Sequence, residues 1–120
     1  MTAVFVYGTL RTGGANWRAH LAPDVGRPAV TEAAFTMRSL GRFPVVEAGG
    51  VTAIAGEVFD VSDETLASLD RLEGHPGWYE RIEIEVRCAG EVSRAWIYLM
   101  PPGTHGESPV LPSGDWQRRE

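Results

Sequence analysis

Residues 62–88 read SDETLASLDRLEGHPGWYERIEIEVRC, and this stretch decides the fold class. Its first half has helical spacing. Ser62 is suited to cap a helix, and Asp63 and Glu64 follow in the first turn, where the helix dipole favours negative charge. Leu66, Leu69 and Leu72 recur at three-residue intervals and form one apolar stripe. Gly74 and Pro76 stop the helix after Glu73. From Tyr79 the period changes to two. Arg81, Glu83, Glu85 and Arg87 alternate with Ile82, Ile84, Val86 and Cys88, the pattern of a half-buried strand. One helix running into one strand is the mark of an α+β domain.

Working outward, Gly90 marks a hairpin turn, and Val92 to Met100 returns as the partner strand until Pro101 and Pro102 end it. Upstream, Val51 to Val61 reads as a strand, with Gly56 marking a bulge or a close backbone approach. Ala3 to Tyr7 (AVFVY) is a short buried strand stopped by Gly8. Asn16 is placed to cap a short helix over 17–21, closed by Pro23. Pro28 to Leu40 reads as extended, and Gly41 to Pro44 as a turn. The segment from Thr104 to Glu120 reads as a surface loop, with Trp116 as its anchor. The expectation is a single α+β domain over residues 1–120, mostly strands with one strong helix.

Composition narrows the function classes. The chain has 120 residues, 43% hydrophobic and 22% charged, enough for one core and unlike a disordered chain. Its net charge of -5 argues against a general nucleic-acid binder. All 11 basic residues are arginine, so Schiff-base and Walker-type lysines are excluded. Cys88 is the only cysteine, and His20, His75 and His105 form no ligand spacing, so no metal is expected. The N-terminus lacks a basic leader, and no apolar run is long enough to cross a membrane. A cytoplasmic protein without nucleic-acid or membrane partners is expected.

Two features carry chemistry. Glu73 lies about 40° from the centre of the leucine stripe, at about 100° per residue. A carboxylate there faces the core at the end of a helix, and both desolvation and the dipole raise its pKa toward the range of a general acid/base. The competing reading is a frayed last turn that lets Glu73 reach water. Asp70, about 100° from the stripe, is expected to be solvated. The second feature is Tyr7-Gly8-Thr9-Leu10. A strand ending in glycine can aim successive N–H groups at one point and bind an anion or an oxyanion, with Gly13 and Gly14 admitting a ligand. The competing reading is an ordinary turn. Cys88 reads as a core thiol, His75 as part of a surface turn, and Trp78 and Tyr79 as pocket wall or core filling. No nucleophile motif surrounds Ser113.

Taken as an ordered set, VFVYGTLRTGGAN (Val4 to Asn16), SLGRFP (Ser39 to Pro44), GEVFDV (Gly56 to Val61), LDRLEGHPGWYER (Leu69 to Arg81) and SGDW (Ser113 to Trp116) resemble the gamma-glutamylcyclotransferase-like proteins, in particular their short bacterial members. The resemblance implies a small mixed β-barrel with flanking helices. It implies cleavage of a gamma-glutamyl amide by cyclisation, releasing 5-oxoproline and a free amine without metal or cofactor. It gives Glu73 the acid/base role and makes the backbone of Tyr7, Gly8, Thr9 and Leu10 the wall of the substrate site. Arg11 and Arg81 are candidates to meet a substrate carboxylate. The alternative functions are a non-catalytic binding module for a small carboxylated ligand and a docking protein using a strand edge or the Trp-bearing tail. The identity of the leaving amine is not legible.

Overall fold

The computed structural model describes residues 1–118. Five strands close into a barrel in the order β1 (Thr2–Val6), β5 (Ala55–Val61), β2 (Arg27–Thr31), β6 (Glu80–Cys88), β7 (Glu91–Leu99). All neighbours are antiparallel except β7 and β1, which run parallel and meet at Val4 and Trp96. That single parallel seam makes the barrel mixed. The strands β3 (Phe35–Ser39) and β4 (Pro44–Ala48) form a separate hairpin, and two helices, α1 (Ala15–His20) and α2 (Asp63–Glu73), complete the fold.

Each face of β1 is buried. Phe5 and Tyr7 belong to one core cluster with Val58, Ile97 and Trp116. Val4 and Val6 belong to a second cluster with Phe59, Leu69 and Tyr98, which seats α2 on the barrel. Leu69 is fully buried, a burial that contributes about 1.5–3 kcal/mol. The Ser62 side chain accepts from the Thr65 amide at 3.1 Å, and Gly74 ends α2 at φ 68°, a conformation that glycine adopts without a Cβ clash.

Several expectations shift. The strand expected from Val51 begins at Ala55, and Gly56 packs against the Val6 carbonyl, the close approach anticipated for it. The extended segment 28–40 divides into β2 and β3, and Pro44 opens a strand that local sequence did not suggest. Asn16 does not cap α1. It lies within the helix, Gly14 holds the cap position, and the Asn16 side chain donates to Thr9 Oγ1 at 2.8 Å. The alternation in β6 is only partly buried, since barrel curvature leaves Ile82 exposed while Val86 is buried. Trp116 anchors the C-terminal segment in the barrel core, as expected; residues 119 and 120 of the expected tail lie outside the described residues. Among the described residues no helix is long and apolar enough to cross a membrane, and no group of His, Cys, Asp and Glu could hold a metal ion.

Candidate active site

A cavity of about 390 Å³ opens beside the end of β1, near the low end of the usual range for small-molecule sites. Its walls come from the β1–α1 loop (Tyr7, Gly8, Thr9, Leu10), the end of α2 (Leu72, Glu73) and the loop after it (Trp78, Tyr79). Arg42, Phe43 and Pro44 add a wall from the β3–β4 turn, and Tyr98 one from β7. All three tyrosines of the chain line it. The structure thus brings Glu73 and the Tyr7–Leu10 backbone, far apart in sequence, into one cavity.

The backbone after α2 explains how Glu73 and Tyr79 come together. The amide of His75 donates to the Asp70 carbonyl at 2.9 Å, and that of Trp78 to the Gly74 carbonyl at 2.8 Å. The Tyr79 amide returns to the Glu73 carbonyl at 3.3 Å. The chain therefore folds back on the last turn of the helix. The ring of Tyr79 is buried and stacks at a tilt on Trp78, with centroids 5.5 Å apart.

Glu73 is half-buried, and among the described residues its carboxylate meets no hydrogen-bond donor or cation. Burial alone lifts its pKa from 4.5 to about 7. The tyrosines shift with it. Burial, then the Glu73 charge, raises the Tyr79 phenol. Burial, with Tyr79 and Glu73 as charges, raises Tyr7 well above its ordinary value. All three phenols stay protonated near neutral pH. Tyr7 donates to the Tyr98 carbonyl at 2.6 Å, and Tyr98 donates to Asp70 Oδ1 at 2.7 Å. The Tyr79 hydroxyl donates to no described residue.

Asp70 departs from the expectation. It is not solvated. Arg81 holds it through Nε at 2.8 Å and a second nitrogen at 3.2 Å, and Tyr98 adds a third bond. Burial pushes the Asp70 carboxyl up, but the bonds from Arg81 and Tyr98 and the nearby positive charge outweigh it and hold the pKa below its ordinary value. Arg81 also lies 4.6 Å from the centroid of the Trp96 ring. Arg81 is thereby committed to structure and does not line the cavity. Arg11 is committed too. It donates to Asp115 at 2.8 Å and lies 3.5 Å from Glu57, whose other oxygen accepts from the Thr12 amide at 2.9 Å and from its hydroxyl at 2.6 Å. His75 accepts from the Arg81 amide at 3.1 Å, and Cys88 is half-buried beside the barrel core.

Within the β1–α1 loop, the amides of Gly8, Thr9 and Leu10 donate to no described residue. Gly8 is not in a left-handed conformation; a Cβ there would come within 2.8 Å of the Pro44 ring, so glycine permits the β3–β4 turn to close the cavity wall. Gly13 and Gly14 do not line the cavity, and Gly14 packs instead on the Thr9 carbonyl. Sequence reasoning on single positions passed over Arg42, Phe43, Pro44 and Tyr98. The segment SLGRFP was the available signal for the first three. A cavity with an unpartnered carboxyl near pKa 7, an unpartnered phenol and a run of free amides can take a proton, return it, and steady a carboxylate or an oxyanion.

Comparison with known proteins shows the family and the fold. The family described as Gamma-glutamyl cyclotransferase, AIG2-like matches residues 4–118. A relative from Vibrio cholerae is 38% identical over 117 residues, which cover 97% of this chain and 96% of that protein. The gamma-glutamylaminecyclotransferase of Rattus norvegicus is 32% identical over 99 residues, 72% of this chain and 64% of the rat protein. The crystal structure of an AIG2-like protein from Mus musculus superposes with a TM-score of 0.72 at 25% identity, covering 83% of this chain and 77% of that one.

Proposed function

The chain belongs to the gamma-glutamyl cyclotransferase, AIG2-like family, and on that premise we propose that it is a gamma-glutamyl amine cyclotransferase with Glu73 as its acid/base. The observation that carries the reading is Glu73 itself, a half-buried carboxyl with no partner among the described residues, in a cavity walled by Tyr7, Gly8, Thr9 and Leu10.

The Glu73 carboxylate takes a proton from the alpha-ammonium group of the bound gamma-glutamyl amide. The freed amine attacks the gamma-carbonyl carbon of the same molecule and forms the ring C–N bond. Amides of the β1–α1 loop steady the oxyanion or the alpha-carboxylate. The protonated Glu73 gives its proton to the departing nitrogen as the original amide C–N bond breaks. The ring nitrogen also gives up the second proton it carries after attack, and the products are 5-oxoproline and the departed amine, which leaves with both protons as an ammonium ion. A pKa of about 7 suits both transfers, since the group is readily protonated and readily deprotonated at neutral pH. Because attack is intramolecular, the cavity need only hold a folded conformer of the substrate. The reading uses small-molecule substrate alone, with no cofactor, in the cytoplasm.

A panel of gamma-glutamyl amides, with 5-oxoproline detected by mass spectrometry, tests this. The parent releases product from at least one amide, and Glu73→Gln is slower by roughly 10²–10⁴-fold, the usual contribution of a general acid/base. Equal turnover by parent and variant would remove Glu73 from the mechanism. Binding without turnover by the parent would favour a ligand-binding module instead.

A further inference from the structure

The helix α2 carries two carboxyls one turn apart, Asp70 and Glu73, and one phenol serves only the first. The Tyr98 hydroxyl donates to Asp70 Oδ1 at 2.7 Å, while the Tyr98 side chain shares the cavity wall with Glu73. A phenol has a single proton to donate. Tyr98 senses both carboxyls: burial, then the bond to Asp70, raises it, and the Glu73 charge adds to the rise. Arg81 secures the arrangement with a fork, Nε on the same Asp70 oxygen at 2.8 Å and a second nitrogen on the other at 3.2 Å. The Arg81 amide donates to His75 Nδ1 at 3.1 Å, and the His75 amide donates to the Asp70 carbonyl at 2.9 Å. The end of α2, the loop after it and the start of β6 thus form one closed ring of hydrogen bonds. Around Glu73, the titratable and charged groups of the cavity wall are Tyr7 from β1, Arg42 from the β3–β4 turn, Tyr79 from the loop after α2 and Tyr98 from β7. Asp70, Arg81 and His75 lie beyond Tyr98, and α1 adds only the uncharged Ala15 and Asn16 to the cavity.

We propose that Asp70 and Arg81 are positioning residues for the cyclisation: by holding the Tyr98 hydroxyl on Asp70 they keep it off Glu73, which meets the substrate as a carboxylate with no donor of its own. This rests on the cyclotransferase reading for the role of Glu73. A carboxylate that accepts a hydrogen bond is a weaker base, because the bond favours its charged form and must loosen when the proton arrives. Of the two carboxyls Asp70 is the stronger acceptor. Burial raises it, but the bonds from Arg81 and Tyr98 outweigh burial and keep it ionised. Without that acceptor, the other carboxyl open to the Tyr98 hydroxyl is Glu73, one helical turn on and in the same cavity wall.

The test follows the Glu73 carboxyl by carbon-13 NMR titration, which needs no substrate, and in parallel the pH profile of kcat/KM on the best gamma-glutamyl amide. In the parent the Glu73 midpoint lies at about 7. In Asp70→Ala the freed Tyr98 hydroxyl turns to Glu73, and the midpoint falls by about one pH unit. The acid limb of kcat/KM moves with it, and the plateau drops by up to about tenfold, the weight of one such unit in a proton transfer. Adding Tyr98→Phe to Asp70→Ala returns the midpoint to the parent value, a reversal that a loosened structure does not give. Tyr98→Phe alone leaves the midpoint in place, because that hydroxyl is already committed to Asp70. Should Asp70→Ala not fold, Asp70→Asn keeps the shape with an uncharged, weaker acceptor, and gives a smaller fall that Tyr98→Phe also reverses. A fall that persists in the double variant would come from the uncompensated Arg81 charge and overturn the proposal. So would an unmoved midpoint in Asp70→Ala, or a rise in Tyr98→Phe alone. If the midpoints move as stated but the parent turns over no amide, or the rate profile does not follow them, the cyclotransferase reading fails and the hold of Asp70 on Tyr98 stands.

Discussion

Two regions built on the same β1–α1 loop treat a carboxylate in opposite ways. Around Glu57, Arg11, Thr12 and Asp115 meet in a knot in which Glu57 and Arg11 are each only 11% exposed at the side chain and every acidic group is answered. A few residues earlier, Tyr7 to Leu10 wall the cavity of Glu73, where a carboxyl, a phenol and three amides have no answer among the described residues. Buried polar groups are normally paired, because leaving one unpaired costs about 1–3 kcal/mol. In the knot each carboxylate is answered, Arg11 Nε meets Glu57 only as an ion pair at 3.5 Å, and the set of contacts ties down the loop. The cavity instead turns several unpartnered polar groups toward one open space, and a ligand with complementary groups is the natural partner. Asp70 sharpens the contrast, since it lies three residues from Glu73 on the same helix and yet is held ionised by Arg81 and Tyr98. Two carboxyls one turn apart are thus set for different work by their surroundings.

The strongest way to break this comparison is Glu57→Ala. It leaves Arg11 in a confined site with one carboxylate partner fewer, and frees the Thr12 donors. The expected loss of stability is about 3 kcal/mol, measured by urea unfolding. A loss well under ~1 kcal/mol would mean that the knot is not what holds the loop.

Glu73→Gln should have the opposite sign. The folded pKa of about 7 lies above the ordinary 4.5. Between these values the folded protein binds more protons than the unfolded one, so the parent loses stability as pH rises through this window and is level above it. The glutamine variant escapes that loss. It should be more stable than the parent at pH 8 by on the order of 1–2 kcal/mol, a figure kept below the full linkage value because the cavity is open to water, with the gap closing near pH 4. Thermal unfolding across pH checks it. A variant less stable than the parent at pH 8 would mean that Glu73 has a partner and belongs with the knot.

How much of this could be read in the sequence depended on how local each cause is. The helix of residues 63–73 was legible because cap, dipole charges, leucine stripe and terminal glycine all lie within it. Glu73 was legible for the same reason, since its angle to Leu69 fixes the face it occupies. Asp70 was misjudged because its partners, Arg81 and Tyr98, lie 11 and 28 residues away and meet it only when the barrel closes. Arg42, Phe43 and Pro44 escaped notice because a turn has no period, and only the packing of Pro44 against Gly8 carries that turn to the cavity. The exposure of Ile82 escaped for a related reason, since alternation predicts two faces but not how far curvature covers them.

The central claim is that the unpartnered carboxyl of Glu73 is the base. The most direct measurement is kcat/KM between pH 5 and 8.5 on the best gamma-glutamyl amide. The account predicts a rate that rises with pH along an acid limb of apparent pKa about 7, because the free enzyme must have Glu73 ionised to take the first proton. A profile flat across that range, or one that has already levelled off by pH 5, would contradict it.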